Sequence, residues 1–257
     1  MPLALLALTI SAFAIGTTEF VIVGLVPTIA EQLAISLPSA GLLVSIYALG
    51  VAVGAPVLTA LTGRFARKKL LVALMVLFTA GNILAWQAPD YTTLVIARLL
   101  TGLAHGVFFS IGSTIATSLV PKEKAASAIA IMFGGLTVAL VTGVPLGTFI
   151  GQHFGWRETF LAVSLLGVIA LVASLLLVPS SIPGRASASL SDQVKVLTHP
   201  RLLLIYAVTA LGYGGVFTAF TFLAPMMQEL AGFSPGAVSW ILLGYGISVA
   251  IGNIWGG

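Results

Sequence analysis

The amino-acid sequence predicts an all-α membrane protein that crosses the bilayer several times. Its 257 residues include only 11 Lys and Arg and 7 Asp and Glu, so charged residues make up 7%, against about 25% in soluble domains. Hydrophobic residues make up 59%, and the mean hydropathy is +1.14. This composition cannot cover the surface of a soluble domain and is too apolar for a disordered chain. The absence of Cys excludes a secreted disulfide scaffold.

Long charge-free runs predict eight membrane-spanning helices, because about 20 mainly apolar residues are needed to cross the hydrocarbon core. With turn-forming residues taken as breaks, the spans are 3–29, 39–62, 70–87, 93–119, 125–150, 158–178, 202–228 and 237–257. The runs do not alternate with a period of two, so we do not expect a β-barrel. Ala12-Phe13-Ala14 resembles a signal-peptidase site, but no basic residue precedes it and the apolar run resumes at once, which favours a membrane helix.

The basic residues predict the orientation of the spans. Nine of the 11 lie between spans 2 and 3, 4 and 5, or 6 and 7: Arg64, Arg67, Lys68, Lys69, Lys122, Lys124, Arg185, Lys195 and Arg201. The opposite loops hold one, Arg157, and Arg98 lies inside span 4. By the positive-inside rule, we expect a cytoplasmic N-terminus in a multi-pass protein of the cell membrane, in bacteria the inner membrane. Nucleic acid is not an expected partner, because no base-stacking aromatic pattern surrounds the basic residues.

The chain matches itself at an offset of 198 residues. The segment 47–54, Tyr-Ala-Leu-Gly-Val-Ala-Val-Gly, aligns without a gap to 245–252, Tyr-Gly-Ile-Ser-Val-Ala-Ile-Gly. Pro27 aligns with Pro225 and Glu31 with Glu229. Spans 7 and 8 therefore repeat spans 1 and 2 in the same orientation, as in transporters built from parallel repeats. We predict a six-helix bundle at 1–178, a cytoplasmic Pro- and Ser-rich linker at 179–200 and the first two helices of a second bundle at 201–257, and we expect a full protein of about twice 198 residues.

Three motifs resemble those of the major facilitator superfamily. Residues 59–69 read Thr-Ala-Leu-Thr-Gly-Arg-Phe-Ala-Arg-Lys-Lys, similar to the family's loop motif Gly-x-Leu-Ala-Asp-Arg-x-Gly-Arg-Arg/Lys, with Gly63 in the place of Asp. Arg98-x-x-x-Gly102 is similar to a motif of the fourth span. The run 143–147, Gly-Val-Pro-Leu-Gly, with Gly135 and Gly151, is similar to the antiporter motif of the fifth span.

The resemblance covers the whole chain and is strongest to the bacterial 12-helix drug:proton antiporter and sugar-efflux branch. It implies a major-facilitator-like fold and alternating access. It also implies conformational roles for Arg64, Arg67, Lys68, Gly102, Gly143, Pro145 and Gly147.

Glu19 and Arg98 are the only charges well inside the predicted spans. Glu19 lies ten residues before the end of span 1, which is about 15 Å along a helix. Arg98 lies at a similar depth, so we expect a direct or water-mediated pair. Such residues usually face a cavity or a partner, and burial disfavours the charged form of a carboxylic acid. We therefore interpret Glu19 as a proton carrier. The alternative is a structural Glu paired with Thr17 or Thr18.

His105 follows Arg98 by seven residues, which places it on the same helix face. It is a candidate proton relay, and the alternative is a neutral imidazole that donates to a helix carbonyl. Arg98 stays charged, so it either tunes a carboxylate or binds backbone carbonyls. Aromatic residues predict a substrate site, and the candidates are Phe20, Tyr47, Phe109, Phe133 and Phe217.

The predicted function is export of a small molecule, such as a drug, sugar or nucleoside, in exchange for protons. A proton-coupled importer or a uniporter of the same fold is the alternative. A membrane enzyme is not expected, because no nucleophile–base, metal-ligand or phosphate-loop motif occurs. No cofactor or metal is predicted, the expected partners are the substrate, protons and lipid, and the full-length protein is expected to be a monomer.

Overall fold

The computed structural model describes residues 3–62, 65–180, 182 and 198–256. Within these ranges the secondary structure is helical, without a strand. In the described residues, eight helices are long and apolar enough to cross a membrane. The predicted all-α, multi-span fold is therefore confirmed. Most of the predicted linker 179–200 lies outside the described residues.

The eight helices are numbered α1–α8, and several contain interruptions. In the first four, the segments are α1 (Leu3–Phe20 and Ile22–Gln32), α2 (Leu37–Val53, a π-helical turn Gly54–Leu58, and Thr59–Thr62), α3 (Arg67–Trp86) and α4 (Tyr91–Ser118). The last four are α5 (Ala125–Val138, a π-helical turn Ala139–Gly143, and Val144–Phe154), α6 (Trp156–Leu177), α7 (Pro200–Thr221, Leu223–Pro225 and a π-helical turn Met226–Leu230) and α8 (Pro235–Gly256).

The start of α3 corrects one sequence-based boundary. Arg67, Lys68 and Lys69 form the first turn of α3 rather than the loop before it. Arg67 is buried, and the Lys68 ammonium donates to the Leu175 carbonyl over 2.8 Å near the end of α6. A cation at that position satisfies a terminal carbonyl and complements the helix dipole. The sequence-based boundary at residue 70 is too late, because the charge-free runs end at every basic residue and so assign Arg67, Lys68 and Lys69 to a loop.

Polar side chains cap the first turns of α2 and α4. The Ser36 hydroxyl accepts from the Ser39 amide at the start of α2, and the Asp90 carboxylate accepts from the Thr93 amide over 2.8 Å at the start of α4. Such caps satisfy amides that have no partner within the helix. The hydrogen bonds from Thr93 hold the pKa of the exposed Asp90 below its ordinary value.

Helix α1 lies at the centre of the bundle, where it packs against α5 and α6, while α4 packs against α2 and α3. Glycines allow these close contacts. A Cβ on Gly102 would collide with the Tyr47 carbonyl of α2, and one on Gly54 would lie 2.8 Å from the Leu103 carbonyl of α4. Gly143 and Gly147 of α5 face Thr17 and Val21 of α1 in the same way. The small residues therefore set helix spacing, as in other membrane helix pairs.

Each π-helical turn lies beside or contains a proline. Pro56 lies within the turn of α2, Pro145 follows the turn of α5 by two residues, and Pro225 precedes the turn of α7. A proline cannot donate to the carbonyl one turn earlier, so the helix widens locally. Pro145, for which the resemblance implies a conformational role, thus lies directly after a widened turn of α5.

Helices α7 and α8 contact the first six mainly at one face of the molecule. We call the face at which α3 and α5 begin and α4 and α6 end the basic face, and the face with residues 33–36, 87–90 and 231–234 the opposite face. Leu223–Pro225 packs against Ile22–Gln32 of α1, and α8 packs against α5. From Leu203 to Val216 the side chains of α7 are largely exposed. The division between two bundles remains a prediction.

Candidate functional site

Glu19, His105 and Tyr47 meet inside the helix bundle. The Glu19 Oε2 atom lies 3.7 Å from His105 Nδ1, and the same nitrogen lies 2.8 Å from the Tyr47 hydroxyl. The His105 and Glu19 side chains are 11% and 20% exposed, so the cluster is nearly closed to solvent. Three groups that can gain or lose a proton therefore occupy one site, contributed by α1, α2 and α4.

Arg98 does not form the direct ion pair with Glu19 that its depth suggested. Within the described part of the chain, the titratable side chain in contact with the Glu19 carboxyl group is the imidazole of His105. Arg98 is 1% exposed, and its Nη1 donates to the Thr18 carbonyl over 2.8 Å. Its Nε donates to the Leu43 carbonyl over 3.4 Å, and its guanidinium lies 4.1 Å from the centre of the Tyr47 ring. Of the two roles expected for Arg98 from the sequence, the hydrogen bonds of this structure correspond to the binding of backbone carbonyls.

A second set of hydrogen bonds fixes the backbone beside Glu19. The Thr18 hydroxyl donates to Asn82 Oδ1 over 2.6 Å, and the Asn82 amide donates to the Phe78 carbonyl over 2.9 Å. Helix α1 is interrupted at Val21, one turn after Thr18. The guanidinium of Arg98 thus binds a carbonyl next to the interruption, where the helix's own hydrogen-bond pattern is broken. Side chains from α3 and α4 together hold α1 at the level of the carboxylate.

The sequence of α4 explains why Tyr47 reaches both Arg98 and His105. The two residues lie seven apart, on one helix face, with Gly102 between them. Because Gly102 has no side chain, the backbone of α2 approaches α4 at Tyr47. The Tyr47 ring, 2% exposed, then fills the space between the guanidinium and the imidazole. This placement makes Tyr47 part of the polar cluster, and it is not among the residues that line the cavity described next.

An aromatic cavity of about 350 Å³ lies between the first six helices and α7 and α8. Its lining residues are Phe20, Phe133, Leu136, Thr137, Leu140, Tyr213, Phe217, Phe220, Tyr245 and Val249. Phe133 contacts Phe109 with a ring separation of 4.8 Å, and Phe109 contacts His105 with one of 4.9 Å. Three predicted substrate residues, Phe20, Phe133 and Phe217, thus line the cavity, and Phe109 connects it to the polar cluster.

A larger groove of about 740 Å³ lies between α5 and α8 on the outer surface. Its walls include Leu146 and Trp240, which are 63% and 73% exposed. Glu19, Arg98 and His105 do not line it. An apolar wall of this kind suits contact with lipid, so the smaller cavity beside the polar cluster is the candidate substrate site.

Apart from Gly102, the predicted conformational residues that the structure describes fall into two groups away from the cluster. Arg67 and Lys68 lie at the basic end of α3, whereas Arg64 lies outside the described residues. Gly143, Pro145 and Gly147 lie where α5 crosses α1. Gly102 belongs to the cluster itself, because it admits the backbone of Tyr47.

Asn82 and Tyr245 are functional candidates that residue-by-residue reasoning missed. Asn82 is an amide in the middle of an apolar span, and polar residues at that depth are costly unless they have partners. That signal was available. Tyr245 aligns with Tyr47 in the internal repeat, but the alignment alone does not show that Tyr245 stacks on Phe220 with a ring separation of 4.6 Å. Among the described residues, no group of three or more metal-ligating side chains was found.

The sequence model of the Major Facilitator Superfamily matches residues 8–257. The chain belongs to this superfamily. It is 56% identical over 254 residues to the Bacillus subtilis protein YtbD, described as an uncharacterized MFS-type transporter. It is 46% identical over 253 residues to YdhP of Escherichia coli K12, described as an inner membrane transport protein. The alignments cover 99% and 98% of the chain but 64% and 65% of these relatives, so the chain spans just under two thirds of their length.

Solved structures agree on the fold. A bacterial homologue of the lysosomal transporter Spinster, described as inward-facing and unoccupied, matches with a TM-score of 0.73 and 20% identity over 96% of the chain and 59% of its own. A D-xylose-proton symporter matches with a TM-score of 0.70 and 17% identity over 95% of the chain and 65% of its own. The major-facilitator fold and the multi-pass membrane class are confirmed. The family and the relatives are transporters, which confirms that the chain is not of an enzyme family.

Proposed function

We propose that this protein is a secondary active transporter that exports a small molecule in exchange for protons by alternating access. The observation that carries the proposal is the contact of Glu19 with His105 beside an aromatic cavity. An antiporter needs a group that changes protonation where the substrate site can respond to it. In the described residues, the Glu19 carboxyl group contacts His105. The His105 ring contacts Phe109, which in turn contacts Phe133 in the cavity wall.

The surroundings of Glu19 favour proton transfer over a purely structural role. The Thr17 hydroxyl donates to the Phe13 carbonyl and the Thr18 hydroxyl donates to Asn82. Both predicted structural partners are therefore engaged elsewhere, and the carboxylate faces an imidazole instead. Carboxylate and imidazole both exchange protons readily, whereas guanidinium does not. We assign proton uptake and release to Glu19, relay to His105, and fixation of the α1 backbone to Arg98.

The aromatic cavity suits a neutral or cationic substrate that is partly apolar. Its lining includes six aromatic rings, two of them tyrosines, together with Thr137 and aliphatic residues. Rings stack on planar groups and attract cations. Drugs and nucleosides match this lining better than a sugar, which needs many hydrogen-bonding groups.

We place the protein in the bacterial inner membrane with the N-terminus and the basic face in the cytoplasm, and we propose that it works as a monomer when full length. This orientation rests on the positive-inside rule, applied to the distribution of Lys and Arg along the sequence. A reporter fused after Lys69 should be cytoplasmic, and one fused after Asp90 should be external. The reverse pattern would refute the orientation.

The proposal is tested by substrate flux in vesicles with an imposed pH gradient. Candidate substrates are screened first with the native protein, and Glu19→Gln is then compared with Phe217→Leu. We expect Glu19→Gln to lower transport driven by the gradient by about 100-fold and Phe217→Leu to retain it with weaker apparent affinity. Full coupling in a well-expressed Glu19→Gln protein would refute the role of Glu19, and export that is unchanged when the gradient is collapsed would refute proton coupling.

A proton-coupled importer is the second candidate. Two of the structural relatives are described as proton symporters of xylose. The same vesicles separate the two directions, because an antiporter accumulates substrate against the proton flow and a symporter with it. A uniporter would carry substrate without responding to the pH gradient.

A further inference from the structure

We propose that Tyr47 is a positioning residue for the proton relay: its hydroxyl donates to Nδ1 of His105 and keeps the proton of the neutral imidazole on Nε2. The nitrogen nearest the Glu19 carboxyl group is then occupied, so Glu19 passes a proton to His105 only after the hydroxyl has turned away. The role of Tyr47 rests on the proposed function, because it concerns control of the same relay. Its test reads the position of a proton and needs no transport measurement.

The hydrogen bonding of the Tyr47 hydroxyl determines the tautomer. Among the described residues, its hydrogen-bond partner is Nδ1 of His105 at 2.8 Å. Tyr47 is buried, and a buried hydroxyl that donates to nothing is costly. A neutral imidazole has one nitrogen that accepts and one that donates. Donation from Tyr47 to Nδ1 satisfies both residues and requires the imidazole proton to be on Nε2, whereas a proton on Nδ1 would leave the Tyr47 O–H without an acceptor among these residues.

The surroundings of His105 favour a neutral imidazole. The charged or titratable side chains that face it are Glu19 of α1, Tyr47 of α2 and Arg98, which lies two turns earlier on α4. Helices α3 and α5 also pack against α4, and in the described residues their charged or imidazole side chains lie near the helix ends. Burial and the fixed positive charge of Arg98 both disfavour an imidazolium. The state of His105 is therefore set by which nitrogen holds its single proton.

The Tyr47 ring is held in place, so its hydroxyl can turn while the ring stays. The Tyr47 carbonyl lies against Gly102, where a Cβ would collide with it. The ring lies 4.1 Å from the guanidinium of Arg98 and packs edge-on to His105, with the ring centres 5.6 Å apart. Release of Nδ1 is therefore a rotation about the bond between the ring and the hydroxyl oxygen.

This arrangement sets the order of the relay steps. Glu19 Oε2 lies 3.7 Å from Nδ1, which is too far for a hydrogen bond, while the Tyr47 hydroxyl lies within hydrogen-bonding distance of the same atom. Once the hydroxyl turns away and the carboxylic acid approaches, its O–H bond breaks and an N–H bond forms at Nδ1. The resulting imidazolium releases its other proton, from Nε2, to water. In the described conformation, Tyr47 keeps the two relay residues apart.

His153 provides an internal reference with the opposite tautomer. Its Nδ1 lies 2.8 Å from the Phe149 carbonyl. A carbonyl oxygen only accepts, so Nδ1 of a neutral His153 carries the proton. The chain has three histidines, and the third, His199, is exposed. A protein labelled only at histidine therefore gives a simple spectrum, in which His153→Gln and His199→Gln identify the signals.

Nuclear magnetic resonance of the histidine-labelled protein in lipid nanodiscs tests the assignment, because the nitrogen chemical shifts distinguish the two tautomers. We expect the Nε2–H form for His105 in the parent protein. In Tyr47→Phe, Nδ1 loses its donor and can donate to Glu19 instead. The ratio of Nε2–H to Nδ1–H should then fall on the order of 10-fold, as for the loss of one hydrogen bond. Tyr47→Phe/Glu19→Leu also lacks the carboxyl acceptor and should return the ratio toward the parent value.

Tyr245→Phe is the matched control, because Tyr245 occupies the equivalent position of the repeat and stacks on Phe220. It should leave the His105 tautomer unchanged. The Nδ1–H form in the parent protein would overturn the role of Tyr47, and this measurement needs no variant of Tyr47. An unchanged ratio in Tyr47→Phe, or no return in the double variant, would also overturn it. Normal proton coupling in Glu19→Gln would instead count only against the proposed function.

Discussion

The two copies of the internal repeat use equivalent positions for different chemistry. Tyr47 of α2 is buried beneath Arg98 and bonded to His105, whereas Tyr245 of α8 stacks on Phe220 in the cavity wall. Glu19 of α1 aligns with Phe217 of α7. The first copy therefore contributes charge and the second contributes aromatic surface. The shared backbone determines where equivalent side chains lie, and the residue at each position determines whether a titratable or an apolar group lies there.

The largest expected difference between the two copies is the difference in effect between the variants Glu19→Gln and Phe217→Leu. We expect the first to lower proton-driven flux by about 100-fold, the lower range of what a positioned proton-transfer group contributes. The second should change the apparent KM while leaving the dependence on the pH gradient intact. Initial rates in vesicles over a series of imposed gradients measure both. Equal behaviour of the two variants would mean that the repeats do not divide the work as proposed.

Tyr47 and Tyr245 occupy equivalent positions in the two copies. Variants of both test the same difference in roles through the free energy of unfolding. Tyr47→Phe keeps the ring under Arg98 but leaves His105 Nδ1 without its 2.8 Å partner. Loss of one buried partner should lower the free energy of unfolding by about 1–3 kcal/mol and alter the pH profile of transport. Tyr245→Phe should leave both unchanged, since its ring stacks through the carbon face. Denaturant unfolding in detergent gives the first quantity, and a stable Tyr47→Phe protein with a native pH profile would exclude the hydroxyl from the cluster.

A glycine pair sharpens the comparison of packing. Gly54 meets the Leu103 backbone of α4, while its repeat equivalent Gly252 has nothing within 4 Å. Gly54→Ala forces the helices apart and should cost about 1–3 kcal/mol of unfolding free energy. Gly252→Ala should be neutral or stabilising by about 0.4–1 kcal/mol, because alanine restricts the unfolded chain. Thermal unfolding of the two purified variants compares them directly, and similar costs would contradict the tight crossing of α2 and α4.

The smallest effect concerns the helix caps. Asp90 caps α4, and Ser234 stands before α8, where its hydroxyl accepts from the Ala237 amide over 3.4 Å. The pKa of Asp90 is lowered in the folded protein. Its contribution is therefore present above the ordinary carboxyl pKa of about 4 and is lost as the pH falls through the lowered value. Asp90→Ser should remove a small part of the acid sensitivity while retaining the cap. Unfolding midpoints between pH 2 and 6 that track the parent throughout would contradict this.

The titratable residues of the site could be predicted from the sequence, but their contacts could not. Glu19, Arg98 and His105 could be selected because charged and titratable residues are rare and costly inside a membrane. The contacts between these residues could not be predicted, because the position of a residue along its span gives its depth in the membrane but not the direction in which its side chain points. Arg98 and Glu19 share a similar depth, yet Arg98 binds the carbonyls of Thr18 and Leu43 and leaves Glu19 to His105. The rotation of each helix about its axis decides between such partners.

The sequence by itself determined the membrane class, the eight spans, the repeat and the family. The membrane class and the spans follow from composition and from the apolar length of each segment, the repeat follows from comparing segments with one another, and the family follows from the resemblance of three motifs. The tertiary structure decided which groups touch: Tyr47 with His105, Asn82 with Thr18, and Phe222 with Gly41. The physical reason is that insertion of a helix depends on its own apolar length, whereas a contact between helices depends on the spacing and rotation of both partners. Those quantities are set jointly by glycines, prolines and buried polar groups from several segments.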